Sequence, residues 1–209
     1  MIAVLAGVNG AGKSSIAGAK LEREGGAYFN PDVESRRIRE RRPDLSEQEA
    51  NSIAWYLGRD LLESAIENDD DYAFETTLGG QSITQLLIEA AQKNRKIGVF
   101  YCGLASAELH LARVADRVAR GGHDIPEDKI RARWKDSIIN MLTLLPLCYK
   151  VAVWDNSEPA DSHGPRPVKL FSMTRGQFDP NSRPDRDMPE WAKPLASEAL
   201  KIALGNTSE

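Results

Sequence analysis

The stretch Gly7–Ser15 reads GVNGAGKSS and directly follows an apolar run, IAVLA, at Ile2–Ala6. A short, continuous aliphatic run of this kind is typical of a buried parallel strand. The stretch itself matches the pattern G-x-x-x-x-G-K-S/T in full, between a strand and a predicted helix. In this pattern the glycines let backbone amides turn inward around phosphate groups, and the helix N-terminus adds its dipole. The sequence therefore predicts a nucleoside triphosphate site at the start of the chain.

This loop supplies the predicted nucleotide and metal ligands. Lys13 is expected to reach the β- and γ-phosphates, and Ser14 is expected to hold Mg²⁺. The predicted cofactors are ATP and Mg²⁺, with GTP left open as the nucleotide. The loop residues expected to bind the nucleotide are Gly7, Asn9, Gly10, Ala11, Gly12, Lys13, Ser14 and Ser15.

Composition narrows the class of protein. The chain has 209 residues, of which 41% are hydrophobic and 28% charged, as in ordinary globular domains. Its net charge of −4 argues against a dedicated nucleic-acid binder. No apolar run is long enough to span a bilayer, and the start of the chain lacks a signal peptide. Two distant cysteines, Cys102 and Cys148, are expected to be reduced thiols. The sequence therefore predicts a cytoplasmic protein that does not contact membranes.

Strand patterns alternate with helix patterns along the chain. This alternation predicts an α/β fold, a P-loop NTPase three-layer sandwich with a mainly parallel sheet of about five to six strands. A single domain is expected over residues 1–209, with a helical lid at about 106–146 and a C-terminal loop and helix at about 175–205. The predicted strands are IAVLA, AYFN, YAFET, KIGVFYCGL, KVAVWD and VKLFSM. The predicted helices between them cover about 14–24, 33–42, 46–68, 82–95, 106–121 and 126–145.

A second glycine-rich segment, TLGGQ at 77–81, superficially resembles the LSGGQ signature of ABC-type ATPases. Those proteins need an apolar strand ending in Asp-Glu soon after the signature, to hold Mg²⁺ and polarise water. The next strand here, IGVFYCGL, carries no carboxylate at its end, and TLGGQ follows a strand directly. The sequence therefore disfavours a transporter ATPase.

Two acids follow strand patterns, where a parallel sheet places its ligands. Transfer of a phosphoryl group to a hydroxyl needs a carboxylate that takes or aligns the proton. Asp32 is the candidate base, and Glu75 is expected to organise the acceptor or the metal. The alternatives are that Asp32 caps the helix beginning at Val33, and that Glu75 forms a structural salt bridge. Thr77 is expected either to bind substrate or to be an ordinary strand residue.

The segment ARVADRVARGGHDIPEDKIRARW carries five arginines on two predicted helices joined by a glycine turn. Spacings of three and four residues place the first three on one helix face. The sequence predicts a lid that closes arginines onto the transferring phosphoryl group. The alternative is a solvated hairpin in which Asp116, Glu127 and Asp128 pair with these arginines. The arginines are Arg113, Arg117, Arg120, Arg131 and Arg133.

Three further residues are weaker candidates. Arg36, in the cluster SRRIRERRP, lies either on a solvated helix face or against an anionic substrate. His123, in the glycine turn, is expected to hydrogen-bond the turn or the substrate. Asn156, after the strand KVAVWD, is a candidate for adenine contact.

Together these motifs resemble the zeta-toxin family and its uncharacterised bacterial relatives. The resemblance covers residues 1 to about 157 through GVNGAGKSS, NPD, FETTLGG, RVARGGHDIPEDKIRARW and VWDNS. Well-studied members are kinases that phosphorylate a sugar hydroxyl of UDP-N-acetylglucosamine and are silenced by a small antitoxin, so the resemblance implies a kinase with an antitoxin as a candidate partner. The region around SRRIRERRP does not closely match the family, so the acceptor is left open.

The resemblance also implies roles for individual residues. Lys13 matches the loop lysine and Ser14 the Mg²⁺ ligand of the family. Asp32 matches the general base, Glu75 the acid after the next strand, and Thr77 the threonine two positions later.

The family's phosphate-binding arginines are matched less completely. Arg117 matches the first, with Arg120 as an alternative. The second has no clear counterpart, because His123 falls near its position while Arg133 offers the charge from the next helix.

The sequence thus predicts an ATP- and Mg²⁺-dependent kinase that acts on a hydroxyl of a small molecule, with an antitoxin as a candidate partner. One alternative is a P-loop ATPase or nucleotide switch that acts on a protein partner. A polynucleotide kinase is disfavoured by the acidic net charge and the lack of aromatic residues among the basic ones.

Overall fold

A six-stranded sheet lies at the centre of the fold. The computed structural model describes residues 1–23, 25–121, 124–160, 164–184 and 187–205. Across the sheet the strands run in the order β2-β1-β3-β4-β5-β6. The strands are β1 (Ile2–Ala6), β2 (Tyr72–Thr76), β3 (Ile97–Gly103), β4 (Lys150–Asp155), β5 (Val168–Thr174) and β6 (Gln177–Phe178).

The first four of these strands are parallel, and the last two are antiparallel. β1 pairs in parallel with both β2 and β3, and β3 pairs in parallel with β4. β5 runs antiparallel to β4, and β6 returns antiparallel to β5. Arg175 and Gly176 connect β5 to β6 with φ angles of 52° and 72°, as a two-residue hairpin turn requires. The predicted α/β fold with a mainly parallel sheet is confirmed, with a terminal antiparallel pair.

The predicted strand AYFN was wrong in extent. Only Phe29 bridges the sheet, in parallel with Phe74 at the free edge of β2. The following residue, Asn30, caps a helix that begins at Pro31, so the backbone turns away from the sheet after a single bridge.

The helices lie between the strands and at the C-terminal end of the described chain. Ser46 and Glu49 form a capping box at the start of the helix predicted at 46–68, since each side chain bonds to the backbone of the other residue. The helix predicted at 82–95 ends earlier, because Asn94 adopts a left-handed φ of 59°. A π-helical turn at Ser14–Gly18 leads into α1 (Ala19–Arg23), followed by α2 (Pro31–Arg41), α3 (Glu47–Glu67), α4 (Gln81–Gln92), α5 (Ala107–Ala119), α6 (Glu127–Leu144) and α7 (Lys193–Gly205).

Apolar side chains pack on both faces of the sheet. Val99 and Tyr101 of β3 belong to a large core that includes buried residues of α3, α4, α6 and α7. The alternate residue Cys102 lies in a smaller cluster with Ala11 of the loop and Leu104. The sheet therefore holds the loop rigidly against the carboxyl ends of its strands. Within the described residues, no helix combines the length and the apolar character that crossing a membrane requires.

Candidate active site

The loop after β1 takes its shape from three glycines. Gly7, Gly10 and Gly12 have φ angles of 136°, 83° and 91°, which L-residues with side chains rarely adopt. A Cβ atom on Gly7 would lie 2.1 Å from the carbonyl oxygen of Cys102. The close approach of the loop to β3 therefore depends on glycine at this position.

Glu75 occupies a buried position beside the loop and is bonded from three sides. Its Oε1 lies 3.5 Å from Nζ of Lys13, which is itself 5% exposed. Its Oε2 accepts hydrogen bonds from the Ser14 hydroxyl at 2.7 Å and from Nδ2 of Asn30 at 3.1 Å. These contacts offset the cost of burying the carboxylate. The salt bridge considered for Glu75 is thus present, and it involves the loop lysine itself.

The Ser14 hydroxyl and the Glu75 carboxylate together fit a Mg²⁺ site. Both offer oxygen atoms as ligands, the type that Mg²⁺ prefers, and the two groups are already hydrogen-bonded to each other. Among the residues that the structure describes, no cluster of three or more His, Cys, Asp and Glu could hold a metal ion by itself. Mg²⁺ at Ser14 and Glu75 would therefore depend on phosphate oxygens and water to complete its coordination.

Asp32 lies in the first turn of α2 and does not cap the helix. The N-cap is Asn30, whose side-chain oxygen accepts from the backbone amides of Asp32 and Val33. Oδ2 of Asp32 lies 3.8 Å from Nη1 of Arg117 on α5, and the Asp32 side chain is 53% exposed. The capping alternative is therefore wrong, and the carboxylate is accessible from solvent.

A cleft of about 1030 Å³ joins these elements. Gly10 and Gly12 of the loop form part of its wall, α2 contributes another part, and α5 faces them. Charged residues that line it from these helices and from the start of α3 are Asp32, Arg36, Arg39, Glu47, Arg113, Asp116, Arg117 and Arg120. The three arginines predicted to share one face of α5 thus face the same cleft as the candidate base.

The two arginines of α6 lie apart. Arg131 pairs with Glu127 and with Glu108 near the surface, at 2.8 and 2.7 Å. Arg133 instead donates from Nη1 to Oδ1 of Asn9 in the loop at 3.2 Å. The charged-hairpin alternative therefore describes Arg131, whereas Arg133 contacts the loop.

Thr77 and Asn156, two further candidates from the sequence, make hydrogen bonds within the protein. The Thr77 hydroxyl accepts from the backbone amide of Gly79 at 3.4 Å, within its own turn. Asn156 is 3% exposed and donates from Nδ2 to the carbonyl of Ala11 at 3.0 Å. This bond supports the loop, and adenine contact by Asn156 stays a prediction. His123 lies outside the described residues.

Two polar residues near the loop were not among the sequence candidates. His110 of α5 is 1% exposed, and its Nδ1–H donates to the carbonyl of Asn9 at 2.7 Å. Burial lowers the pKa of His110 to about 4, so the ring is neutral. Asn140 of α6 donates from Nδ2 to the carbonyl of Leu78 at 2.9 Å. Each interrupts the apolar stripe of its helix, which was the available signal, because buried polar groups need partners.

Both cysteines are free, and Cys102 contacts the loop. Its Sγ lies 3.0 Å from the carbonyl oxygen of Ala11, to which it donates. Burial raises the pKa of Cys102 to about 12, so the thiol stays protonated at neutral pH. Cys102 therefore supports the loop and is not a nucleophile.

Comparison with known sequences identifies relatives of this chain. The profile of the AAA domain family matches residues 2–138, which include the loop, α2, β2 and α5. An uncharacterized protein of Haemophilus influenzae is 30% identical over 128 residues, which make up 61% of this chain and 88% of that protein.

Comparison with solved structures shows the P-loop kinase-like fold. The AvrRxo1-ORF1:-ORF2 structure with ATP matches with a TM-score of 0.64 and 17% identity, over 100% of this chain and 80% of that one. A chain from the PezAT toxin–antitoxin system of Streptococcus pneumoniae matches with a TM-score of 0.55 and 14% identity, over 99% and 86%. A putative kinase of Chloroflexus aurantiacus has a TM-score of 0.50 and 13% identity, over 63% and 78%. At these identities the likeness concerns the fold.

Proposed function

The chain belongs to the AAA domain family, and from this premise we propose that it is an ATP- and Mg²⁺-dependent phosphotransferase. The acceptor is a hydroxyl group of a small molecule. One observation carries the proposal: Asp32 and Arg117 lie 3.8 Å apart in a cleft that the phosphate loop also lines. A base and a cation are thus available where a γ-phosphoryl group would meet its acceptor.

The loop side of the cleft binds the nucleotide. Backbone amides around Gly10 and Gly12 hold the phosphates, and Lys13 neutralises charge on the β- and γ-groups. Ser14 and Glu75 would hold Mg²⁺, which would supply further neutralisation of charge on the phosphate oxygens. Hydrogen bonds from Cys102, His110 and Asn156 to loop carbonyls help to position these groups before the nucleotide arrives.

The α2 side of the cleft binds the acceptor. Asp32 accepts or aligns the proton of the attacking hydroxyl, for which a solvent-accessible carboxylate is suitable. Arg117 balances the negative charge that develops on the transferring group.

The acceptor of zeta toxins, a nucleotide sugar, is the first candidate substrate. Arg36 and Arg39 follow Asp32 by one and two turns of α2 and line the same cleft, where they favour an anionic molecule. The fold is shared with a chain of the PezAT toxin–antitoxin system and with the AvrRxo1-ORF1:-ORF2 complex. These likenesses support a small antitoxin-like protein as a partner of this chain.

A nucleotide switch or ATPase that acts on a protein partner is the second candidate. It is favoured by the contacts of α5 and α6 with Asn9 of the loop, since such contacts connect nucleotide binding to the lid helices. A switch would hydrolyse ATP without a small-molecule acceptor and would not require Asp32.

The deciding experiment measures transfer from γ-labelled ATP, with Mg²⁺, to a panel of nucleotide sugars, nucleosides and an oligonucleotide. Wild type is compared with Asp32→Asn and with Asp44→Asn, a control that alters an exposed partner of Arg42. We expect one acceptor to be labelled by wild type and by the control, and not by Asp32→Asn. Equal ATP consumption by all three proteins without any labelled acceptor would favour the switch.

A further inference from the structure

We propose that His110 and Arg133 are positioning residues that hold Asn9, and through it the phosphate loop, in the conformation that binds nucleotide. The inference rests on the proposed function and concerns the same site. It gives Arg133 a role different from the predicted contact with the transferring phosphoryl group.

The first contact comes from α5. The Nδ1–H of His110 donates to the main-chain carbonyl of Asn9 at 2.7 Å, in a position that is 1% exposed. A Cβ atom on Gly10 would lie 3.3 Å from the carbonyl oxygen of His110 and from Cβ of Arg113. The helix thus packs directly on the loop. Its histidine orients the carbonyl of Asn9, which belongs to the peptide group that joins Asn9 to Gly10.

The second contact comes from α6. Arg133 donates from Nη1 to Oδ1 of the Asn9 side chain at 3.2 Å. It passes over Gly79, where a Cβ atom would lie only 2.7 Å from Cγ of Arg133. Two helical turns further along α6, Asn140 bonds to the carbonyls of Leu78 and Gly80 at 2.9 and 3.4 Å. The segment 78–80 after β2 is therefore the surface on which α6 packs, and this packing positions Arg133.

Both oxygens of Asn9 are therefore engaged by the lid helices. Arg133 reaches the loop through the Asn9 side chain, whereas Arg117 and Arg120 line the cleft. A guanidinium that acts through the loop affects every nucleotide whose phosphates the loop holds. One that touches the γ-phosphate affects ATP and leaves ADP unchanged.

This difference defines the first test, which measures the dissociation constants of ATP and ADP by calorimetry. The variant is Arg133→Met, and the matched control is Arg131→Met, two residues away on the same helix and paired with Glu127 and Glu108. We expect Arg133→Met to weaken both nucleotides equally, by about tenfold, as for a lost charged hydrogen bond. The control should match wild type. A loss confined to ATP, or no loss, would overturn the inference.

The second test asks whether the effect passes through Asn9. In an Asn9→Ala background, Arg133→Met should weaken nucleotide binding by less than about twofold, because its partner atom is already gone. An undiminished tenfold loss in this background would show that Arg133 acts elsewhere.

His110 is tested with two substitutions. Asn places an amide N–H where the histidine has Nδ1, so His110→Asn should retain most of the nucleotide affinity that His110→Leu loses. Equal affinities of the two variants would contradict the role of the bond. If His110→Leu does not fold, the nucleotide affinities of His110→Asn, wild type and the Arg133 variants still test whether these residues position the loop.

The outcomes also separate this inference from the proposed function. Wild type that binds no nucleotide would refute both. Wild type that binds ATP and labels no acceptor would refute the phosphotransferase alone, since the affinities do not depend on transfer.

Discussion

Asp32 on α2 and Arg117 on α5 lie 3.8 Å apart, on elements that the chain separates by the whole of α3, β2, α4 and β3. The contact brings a carboxylate from the α2 side of the cleft to a guanidinium from the α5 side. Because both side chains remain partly exposed, solvent and ligands reach the pair. From this arrangement we expect substitutions of Asp32 and of Arg117 to have separate effects on phosphoryl transfer.

Asp32→Asn should abolish transfer while preserving nucleotide binding, because only the transition state needs the base. Removal of a general base typically costs a factor of about 10² to 10⁴ in kcat. Steady-state kinetics with the identified acceptor, together with calorimetric titration of ATP, would measure both quantities. A variant with kcat near that of wild type would rule out Asp32 as the base.

Arg117→Met should lower kcat by about 10² or more, with a small change in ATP affinity, since it balances charge that develops during transfer. Arg131→Met is the control, because its side chain pairs with Glu108 and Glu127 near the surface. Single-turnover measurements at saturating ATP separate the chemical step from binding. Equal rates for Arg117→Met and the control would exclude a role in transfer.

Glu75→Gln should raise the Mg²⁺ concentration that gives half-maximal activity by about tenfold, as expected when an anionic group at a metal site is neutralised. Glutamine keeps the size of the side chain, so the contacts with Ser14 and Asn30 change little in shape. Glu89→Gln on α4 is an exposed control. An unchanged Mg²⁺ dependence in Glu75→Gln would place the metal elsewhere.

Gly79→Ala should weaken the binding of both ATP and ADP in the same way as Arg133→Met. The new methyl group would lie 2.7 Å from Cγ, 2.9 Å from Cβ and 3.1 Å from Cα of Arg133, so this part of α6 must shift and its contact with Asn9 is disturbed. Gly80→Ala is the matched control, because a Cβ atom there meets nothing within 4 Å. If both alanine variants bind nucleotide like wild type, the close packing of Arg133 on Gly79 is not needed for nucleotide binding.

His110 should make the free energy of unfolding depend on pH. Its folded pKa of about 4 lies below the ordinary value of 6.5, mainly because of burial and also because of the charges of Lys13 and Arg113. Between these pH values the unfolded chain binds a proton that the folded chain excludes. Stability is therefore full above pH 6.5 and falls toward pH 4, by about 3 kcal/mol from this residue.

Urea unfolding of wild type and His110→Asn between pH 7 and pH 4 would measure this contribution. The stability difference between the two proteins should shift in favour of the variant as the pH falls. Parallel curves would mean that His110 takes up its proton at the same pH in the folded and unfolded chains.

Much of the cleft could be predicted because each of its parts carries a local sequence signal. The loop motif includes its own glycines, and strand polarity places Asp32 and Glu75 at the same edge of the sheet. The spacing of Arg113, Arg117 and Arg120 predicted one helix face, and all three line the cleft. Local patterns are sufficient here because neighbouring residues determine both the turn and the face.

The two wrong predictions near Asp32 have a common cause. Asn30 precedes Pro31, and asparagine followed by proline is a strong signal for a helix N-terminus. The strand interpretation of AYFN included Asn30, so Asp32 was the residue considered as the alternative cap. The competing helix signal is stronger, because the cap satisfies two backbone amides that would otherwise have no partner.

By itself, the sequence determined the phosphate loop, the parallel core of the sheet and the face that α5 presents. Only the tertiary structure decided that Arg133 contacts the loop while Arg131 pairs with surface glutamates, and that His110 bonds to Asn9. Residues two positions apart on a helix point about 200° away from each other, so one of the pair must leave the loop. Which one leaves depends on how α6 packs over Gly79, a contact between segments more than fifty residues apart. Helix periodicity defines a face, and only packing decides what that face meets.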